Sequence, residues 1–237
     1  MKNFAPILCA ALLAAPAVAD DMTPSVYVQA TGGYAIGSIS NASNIVTGNG
    51  FGGDFGNSAT YGGGVGLKFP KIGILTVRTD LTGSFDPSLG GSNHTGSLPD
   101  GTSVSAKVKL QASTYLANIY GDLDVGSPFM PFVGMGIGGA HKRVSTIIFS
   151  NPAGSFASVN GNTHEGFVWS ATVGGNYNVT DNVAFELAYR YTEAGKVNSG
   201  SNFTDLTQSP AVTQGLSQQI SSDLNLHQFT ATVRYLF

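Results

Sequence analysis

The sequence predicts an all-β fold, eight antiparallel strands closed into an up-and-down barrel, and three observations predict it. Apolar residues recur at every second position in segment after segment, and the links between the segments alternate long and short. The composition holds only 11 % charged residues and 32 glycines in 237 residues. Soluble domains average about 25 % charged residues, so much of the surface is expected to lie out of water. No apolar run reaches the roughly 18 to 20 residues that a membrane-spanning helix needs.

The segment from His227 to Phe237 shows the alternation at the end of the chain. His227, Phe229, Ala231, Val233, Tyr235 and Phe237 fall on one face, and Gln228, Thr230, Thr232, Arg234 and Leu236 on the other. Successive strand side chains point to opposite faces, so this is one apolar face backed by one mostly polar face.

From the N-terminal side, Ser25 to Ile36 is the first strand, with Val26, Val28 and Ala30 against Tyr27, Gln29 and Thr31. A Gly/Asn-rich loop, Asn41 to Gly56, leads to the second strand, Thr60 to Phe69, whose apolar face is Tyr61, Val65, Leu67 and Phe69. After a turn at Pro70-Lys71, Ile74 to Phe85 sets Leu75, Val77, Leu81 and Phe85 against Thr76, Arg78, Asp80, Thr82 and Ser84. Asp86 to Thr102 reads as a polar loop.

The fourth strand lies within Val104 to Leu123, where Tyr115, Ala117, Ile119 and Leu123 oppose Asn118, Tyr120 and Asp122. Its first half, Ala106 to Leu110, alternates in the opposite phase, so a bulge or a strand running beyond the membrane is expected there. Phe129 to Ala140 sets Val133, Met135 and Ile137 against Gly134, Gly136 and Gly138, small inward residues expected to give room to larger side chains. A loop from about Ser145 to Asn162 precedes the sixth strand, Phe167 to Asn178. A turn at Thr180-Asp181-Asn182 precedes the seventh, in which Val183, Phe185, Leu187, Tyr189 and Tyr191 oppose Ala184, Glu186, Ala188, Arg190 and Thr192. The longest loop, about Glu193 to Ser222, leads into the last strand.

The links therefore run long, short, long, short, long, short, long. A barrel that crosses a membrane with both ends on the periplasmic side produces this order of external loops and internal turns. Open sheet edges do not survive in hydrocarbon, so a membrane sheet must close. Eight strands enclose an interior just wide enough for side chains to fill. Aromatics such as Trp169, Tyr177, Tyr189, Tyr191, Tyr235 and Phe237 are expected at the two membrane–water boundaries.

The N-terminus predicts export. Lys2, the apolar run Ile7 to Ala15 and the small-x-small site Ala17-Val18-Ala19 make residues 1–19 a cleavable signal peptide, leaving 20–237 as the barrel domain. The only cysteine, Cys9, would leave with it. A formal net charge of −3 argues against a nucleic-acid partner.

Four stretches carry a family resemblance: Tyr115 to Leu123, Pro131 to Ala140, Glu186 to Tyr191 and Thr232 to Phe237. They resemble the small eight-stranded outer-membrane barrels of the OmpA/OmpX-like class, in particular the opacity-type "porin family" surface proteins of Gram-negative bacteria. The resemblance covers the strands but not the loops. It implies residence in the outer membrane, insertion by the barrel-assembly machinery, and loops available to a host or surface ligand. It also implies that an aromatic terminal strand, here Phe229, Tyr235 and Phe237, acts as the assembly signal.

Candidate chemistry is sparse. Lys68, Arg78, Asp80, Asp122, Glu186, Arg190 and Arg234 all fall on inward faces and are expected to form a lumenal polar network. The leading expectation is a non-enzymatic protein that stabilises the envelope and presents its loops for contact or adhesion. One alternative is a narrow channel for ions or small solutes lined by these charges. Another is a lipid hydrolase using His227 with Ser221, Ser222 and Asp223. His94, His141 and His164 lie near the long links without metal-ligand spacing, and no cofactor is expected. Phe51, Phe55, Ile147, Ile148, Phe149, Phe156 and Phe203 give those links apolar anchors.

Overall fold

The computed structural model describes residues 23–42, 51–97, 103–215 and 221–237. The expected signal peptide with Cys9 lies outside the described residues, as do the side chains of Phe51, Phe55 and His94. Among the described residues the strands are β1 (Ser25–Ala42), β2 (Phe51–Lys68), β3 (Leu75–Ser97), β4 (Ser103–Leu123), β5 (Phe129–Val144), β6 (Ile147–Asn151), β7 (Gly154–Val159), β8 (Asn162–Asn178), β9 (Val183–Asn198), β10 (Asn202–Asp205), β11 (Val212–Gly215) and β12 (Ser221–Leu236).

Eight of them, β1, β2, β3, β4, β5, β8, β9 and β12, pair antiparallel in a ring. The β4–β5 and β1–β12 ladders complete the circle, so no edge is left in the spanning part. The outward residues are the apolar set read from the alternation. Val65, Tyr115, Ile119, Val133, Met135, Ile137, Phe167, Val173, Leu187, Phe229 and Val233 are all exposed. Outward aromatics bound this belt. Along β8 it runs from Tyr177 to Phe167, ten residues or about 33 Å of strand. At a tilt of roughly 40° that spans about 25 Å, the height of an outer-membrane apolar band.

Beyond the belt, at the end carrying the long links, the chain is more regular than the composition predicts. The expected loops shrink because their strands continue: β2 starts at Phe51, β3 reaches Ser97, β9 reaches Asn198 and β12 starts at Ser221. Phe69, placed in the second strand from the sequence, instead follows β2 in the turn. The link Ser145–Asn162 is not a loop but holds the β6–β7 hairpin, which pairs with the upper part of β4 through Ser105–Lys107. β10 adds to β7, and β11 to β10. Gly and Asn weaken a strand, but pairing on a preformed edge outweighs local propensity.

The expected irregularity in β4 resolves in favour of the long strand. β4 is continuous over 21 residues, and the register shifts fall on its partner β3, between Asp86 and Leu89 and between Gly90 and Asn93. The phase of apolar residues reverses because the lumen changes character. Ala35, Leu89, Leu110, Ala112, Val144, Ala194, Leu224 and Leu226 point inward and form one buried apolar cluster. They stack above the polar residues as a plug near the long-link end.

Two ladders stop before that end. β2–β3 pairing ends at Tyr61–Phe85, and β8–β9 pairing at Trp169–Glu193. Above the second stop β9 bulges: Glu193 pairs with Asn225 and Gly195 with Leu224, leaving Ala194 extra. Gly195 takes a left-handed φ of 67° there, which favours glycine.

Candidate functional site

The lumen below the apolar plug holds most of the sequence-predicted charges. Arg78 on β3 is their centre. Its Nε and Nη2 donate to the two carboxylate oxygens of Asp122 at 2.6 and 2.9 Å, a bidentate pair between adjacent strands. Nη2 also reaches Glu186 Oε2 at 3.4 Å across the lumen. Arg234 on β12 donates to that same Glu186 oxygen, and to Asn176 Oδ1 at 3.2 Å. Arg78 and Asp122 are each 1 % exposed.

Aromatic rings frame both guanidinium groups. The Arg78 guanidinium carbon lies 4.7 Å from the Tyr120 ring centre and 5.2 Å from that of Phe132. Arg234 lies 5.0 Å from the centre of Tyr27. These faces offer negative quadrupole to cations already removed from water.

Among the described residues Asp80 has no cation in contact. Its carboxylate accepts from Tyr27 Oη at 2.9 Å, Gln29 Nε2 at 3.0 Å and Asn118 Nδ2 at 2.7 Å. Arg190 donates to Thr172 Oγ1 and Tyr120 Oη, both at 3.3 Å, and among the described residues touches no carboxylate. Lys68 pairs backbone to backbone with Arg78, but its ammonium makes no ion pair among the described residues. The structure therefore joins Arg78, Asp122, Glu186 and Arg234 directly, attaches Asp80 and Arg190 through neutral groups, and leaves Lys68 at the margin.

Sequence reasoning collected the charges and passed over the neutral members Tyr27, Gln29, Asn118, Tyr120, Phe132 and Asn176. Their signal was the same inward parity. The small residues fit around them. A Cβ at Gly134 would overlap the Tyr120 ring, and one at Gly136 the Asn118 side chain. At Gly138 the crowding comes instead from the Tyr115 backbone. Higher up, Gln228 bridges Thr60 Oγ1 at 3.4 Å and Asp86 Oδ1 at 3.5 Å, just under the apolar plug.

One buried cation stands apart. The Lys142 ammonium on β5 donates to the carbonyl oxygens of Ala194 and, at 2.8 Å, Lys196, on either side of Gly195 in the β9 bulge. It ties the wall where the β8–β9 ladder has ended.

The histidine proposals fare differently. His227 Nδ1 lies 2.7 Å from Tyr189 Oη within an outward cluster with Tyr189 and Tyr191. Asp223 is four residues along the same strand, about 13 Å away, so no Ser/His/acid relay forms. His141 meets Glu165 at 3.4 Å and His164 meets Asn162 at 3.0 Å. Among the described residues no three His, Cys, Asp or Glu side chains converge on a metal-sized point. Phe229, Tyr235 and Phe237 all lie exposed on the lipid side, and the rings of Tyr235 and Phe237 meet edge to face at 5.1 Å.

Known proteins resemble the chain across most of its length. The family model for the outer membrane protein beta-barrel domain matches residues 5–237. Outer membrane protein PagN of Salmonella typhimurium is 27 % identical over 212 residues, covering 85 % of this chain and 88 % of that protein. A putative adhesin of Rickettsia canadensis is 29 % identical over 178 residues, covering 73 % of this chain and 71 % of its own length. Neisserial surface protein A superposes with a TM-score of 0.47 at 17 % identity, over 90 % of this chain and 97 % of that one. A closed ring of eight strands, an apolar belt of membrane height and a family match across nearly the whole chain lead to one conclusion: the chain belongs to the outer-membrane protein β-barrel domain family and resides in the bacterial outer membrane.

Proposed function

We propose that the protein is a non-enzymatic surface adhesin, a sealed barrel that anchors an extracellular β-platform. The observation that carries this reading is the sheet that stands past the lipid belt. There β3 and β4 continue upward and are joined by β6, β7, β10 and β11. Ile147, Phe149, Ala157 and Val159 give the platform its own small buried core, with Phe156 and Phe203 packed against it. A folded projection loses less conformational entropy on binding than a polar loop would. Similarity to a protein named as a putative adhesin adds support.

The apolar plug weighs against the channel alternative. Leu89, Leu224 and Leu226 are fully buried and Leu110 nearly so, directly above the charges that would line a water path. The lumenal network then serves to fill and register the barrel. Besides outer-membrane lipid, the partners on this reading are the barrel-assembly machinery, engaged by Phe229, Tyr235 and Phe237, and a host or surface ligand at the platform.

The test is adherence of a non-adherent bacterium displaying the chain. Replacing residues 147–159, or separately 202–215, with a Gly/Ser linker should abolish binding to cultured epithelial cells while the barrel stays folded. Unchanged adherence in both replacements would remove the reading.

A further inference from the structure

The outer wall carries a second feature that adhesion does not use. Just above the belt, on the outward face of β4, β5 and β8, neighbouring residues form level rows. Tyr115, Gly139 and Phe167 form the last lipid-facing row. Ser113, His141 and Glu165 form the next, followed by Gln111, Arg143 and Thr163. Lys109 and Lys107 continue upward along β4, both exposed. Two strand residues rise about 6.6 Å along the strand, so Arg143 and Lys109 stand within about 10 to 20 Å of the hydrocarbon boundary, at headgroup depth.

These cations face a built recess. A cleft of about 760 Å³ opens there, lined by Lys109, Gln111, Arg143, Asn160 and Thr163 among others, with Pro87 and Ser88 on its β3 side. That volume falls in the range of small-molecule sites. No carboxylate lines it among the described residues. Among the described residues the ammonium groups of Lys107 and Lys109 and the guanidinium of Arg143 make no ion pair, whereas His141 is matched by Glu165. The chain as a whole carries a net charge of −3, so three cations on one outward face run against its balance.

We propose that this cleft binds the phosphate of a phosphorylated outer-leaflet glycolipid, with Arg143 and Lys109 holding the phosphate and Gln111, Asn160 and Thr163 meeting the sugar. Arg suits the role because its planar fork matches phosphate oxygens in pairs. The position of the cleft selects the lipid. Its lining residues Gln111, Arg143 and Thr163 share the outward face with the exposed rings of Tyr115 and Phe167 and stand two rows above them, where the acyl chains of the same molecule would lie. A soluble anion would gain nothing from that placement.

The test uses the full chain in phosphatidylcholine nanodiscs, with folding checked by heat-modifiable gel migration. Native mass spectrometry counts bound lipid A in bisphosphorylated, monophosphorylated and dephosphorylated forms. The wild-type chain should bind the bisphosphorylated form at least about tenfold more tightly than the dephosphorylated one. K109Q/R143Q should lose that preference, each single variant should lose part of it, and K71Q, at the opposite end of the barrel, should keep it. No preference for the phosphorylated lipid in the wild-type chain would overturn the proposal without reference to any variant. So would equal competition by inorganic pyrophosphate at the same concentration, which would make the cleft a site for soluble anions.

Discussion

Replacing Arg78 by Met is the sharpest test of the lumenal network. The side chain makes two charge-assisted bonds to Asp122 at 2.6 and 2.9 Å and one to Glu186 at 3.4 Å, all away from solvent. Methionine retains contact with the Tyr120 and Phe132 rings, since its flexible thioether packs well on aromatic edges. The change therefore isolates charge from packing. It strands Asp122 as a buried carboxylate without its two charge-assisted hydrogen bonds and leaves Glu186 bonded to Arg234. Breaking a buried pair from one side costs about 3 to 5 kcal/mol, or roughly two to three and a half decades in the folding equilibrium. Urea unfolding of the refolded barrel in lipid vesicles, followed by Trp169 fluorescence, measures it. The partner experiment is the double variant Arg78→Met, Asp122→Leu, which removes both charges and should recover most of the loss. A cost below about 1 kcal/mol for the single variant, or additive costs in the double, would show that the pair is hydrated or uncoupled.

Other outcomes follow from the same geometry. Gly134→Ala drives a methyl into the Tyr120 ring, which Arg78 and Arg190 hold in place, and should cost about 1 to 3 kcal/mol, whereas Gly32→Ala meets open space and should stay within about 0.5 kcal/mol. Planar-bilayer recording should find the wild-type barrel closed, and Leu110→Ala with Leu224→Ala should thin the plug enough to give measurable conductance. Phe237→Ala should lower barrel assembly in cells while leaving refolding into detergent unchanged, because assembly machinery and not lipid would read that ring. At the periplasmic turns, hydrogen bonds from Lys71 and the Gly126 backbone hold the Asp124 carboxyl below its usual range. The folded chain thus binds that proton less readily than the unfolded one. The contribution is present at neutral pH and fades as the pH falls below about 4, and Lys71→Gln should raise the Asp124 titration seen by NMR.

The spanning part of the fold was legible because lipid and lumen impose opposite demands on alternate residues. Tyr115, Ile119 and Leu123 against Asn118, Tyr120 and Asp122 could be phased from the chain alone. Two things were not legible. The residues Val108, Leu110 and Ala112 look out of phase if the lumen is taken as polar throughout, and only the shared packing with Leu89, Leu224 and Leu226 from distant strands explains them. The extracellular strands were hidden too, because β6, β7, β10 and β11 are short and owe their existence to edges that other segments supply. For the candidate site, parity places Arg78, Asp122, Glu186 and Arg234 on inward faces. It could not show that Asp80 is held by Tyr27, Gln29 and Asn118 instead of by an arginine, since that depends on stagger between strands.

The buried ammonium of Lys142 at the β9 bulge has a consequence for how the molecule tolerates change. Below that rivet the hydrogen-bonded hoop is continuous, and above it β8 and β9 run as separate staves. Insertions or exchanges in the 199–220 segment can therefore be absorbed by the parted staves without re-indexing the hoop. A surface protein built this way can remodel its outward face repeatedly while the part that dwells in lipid stays the same.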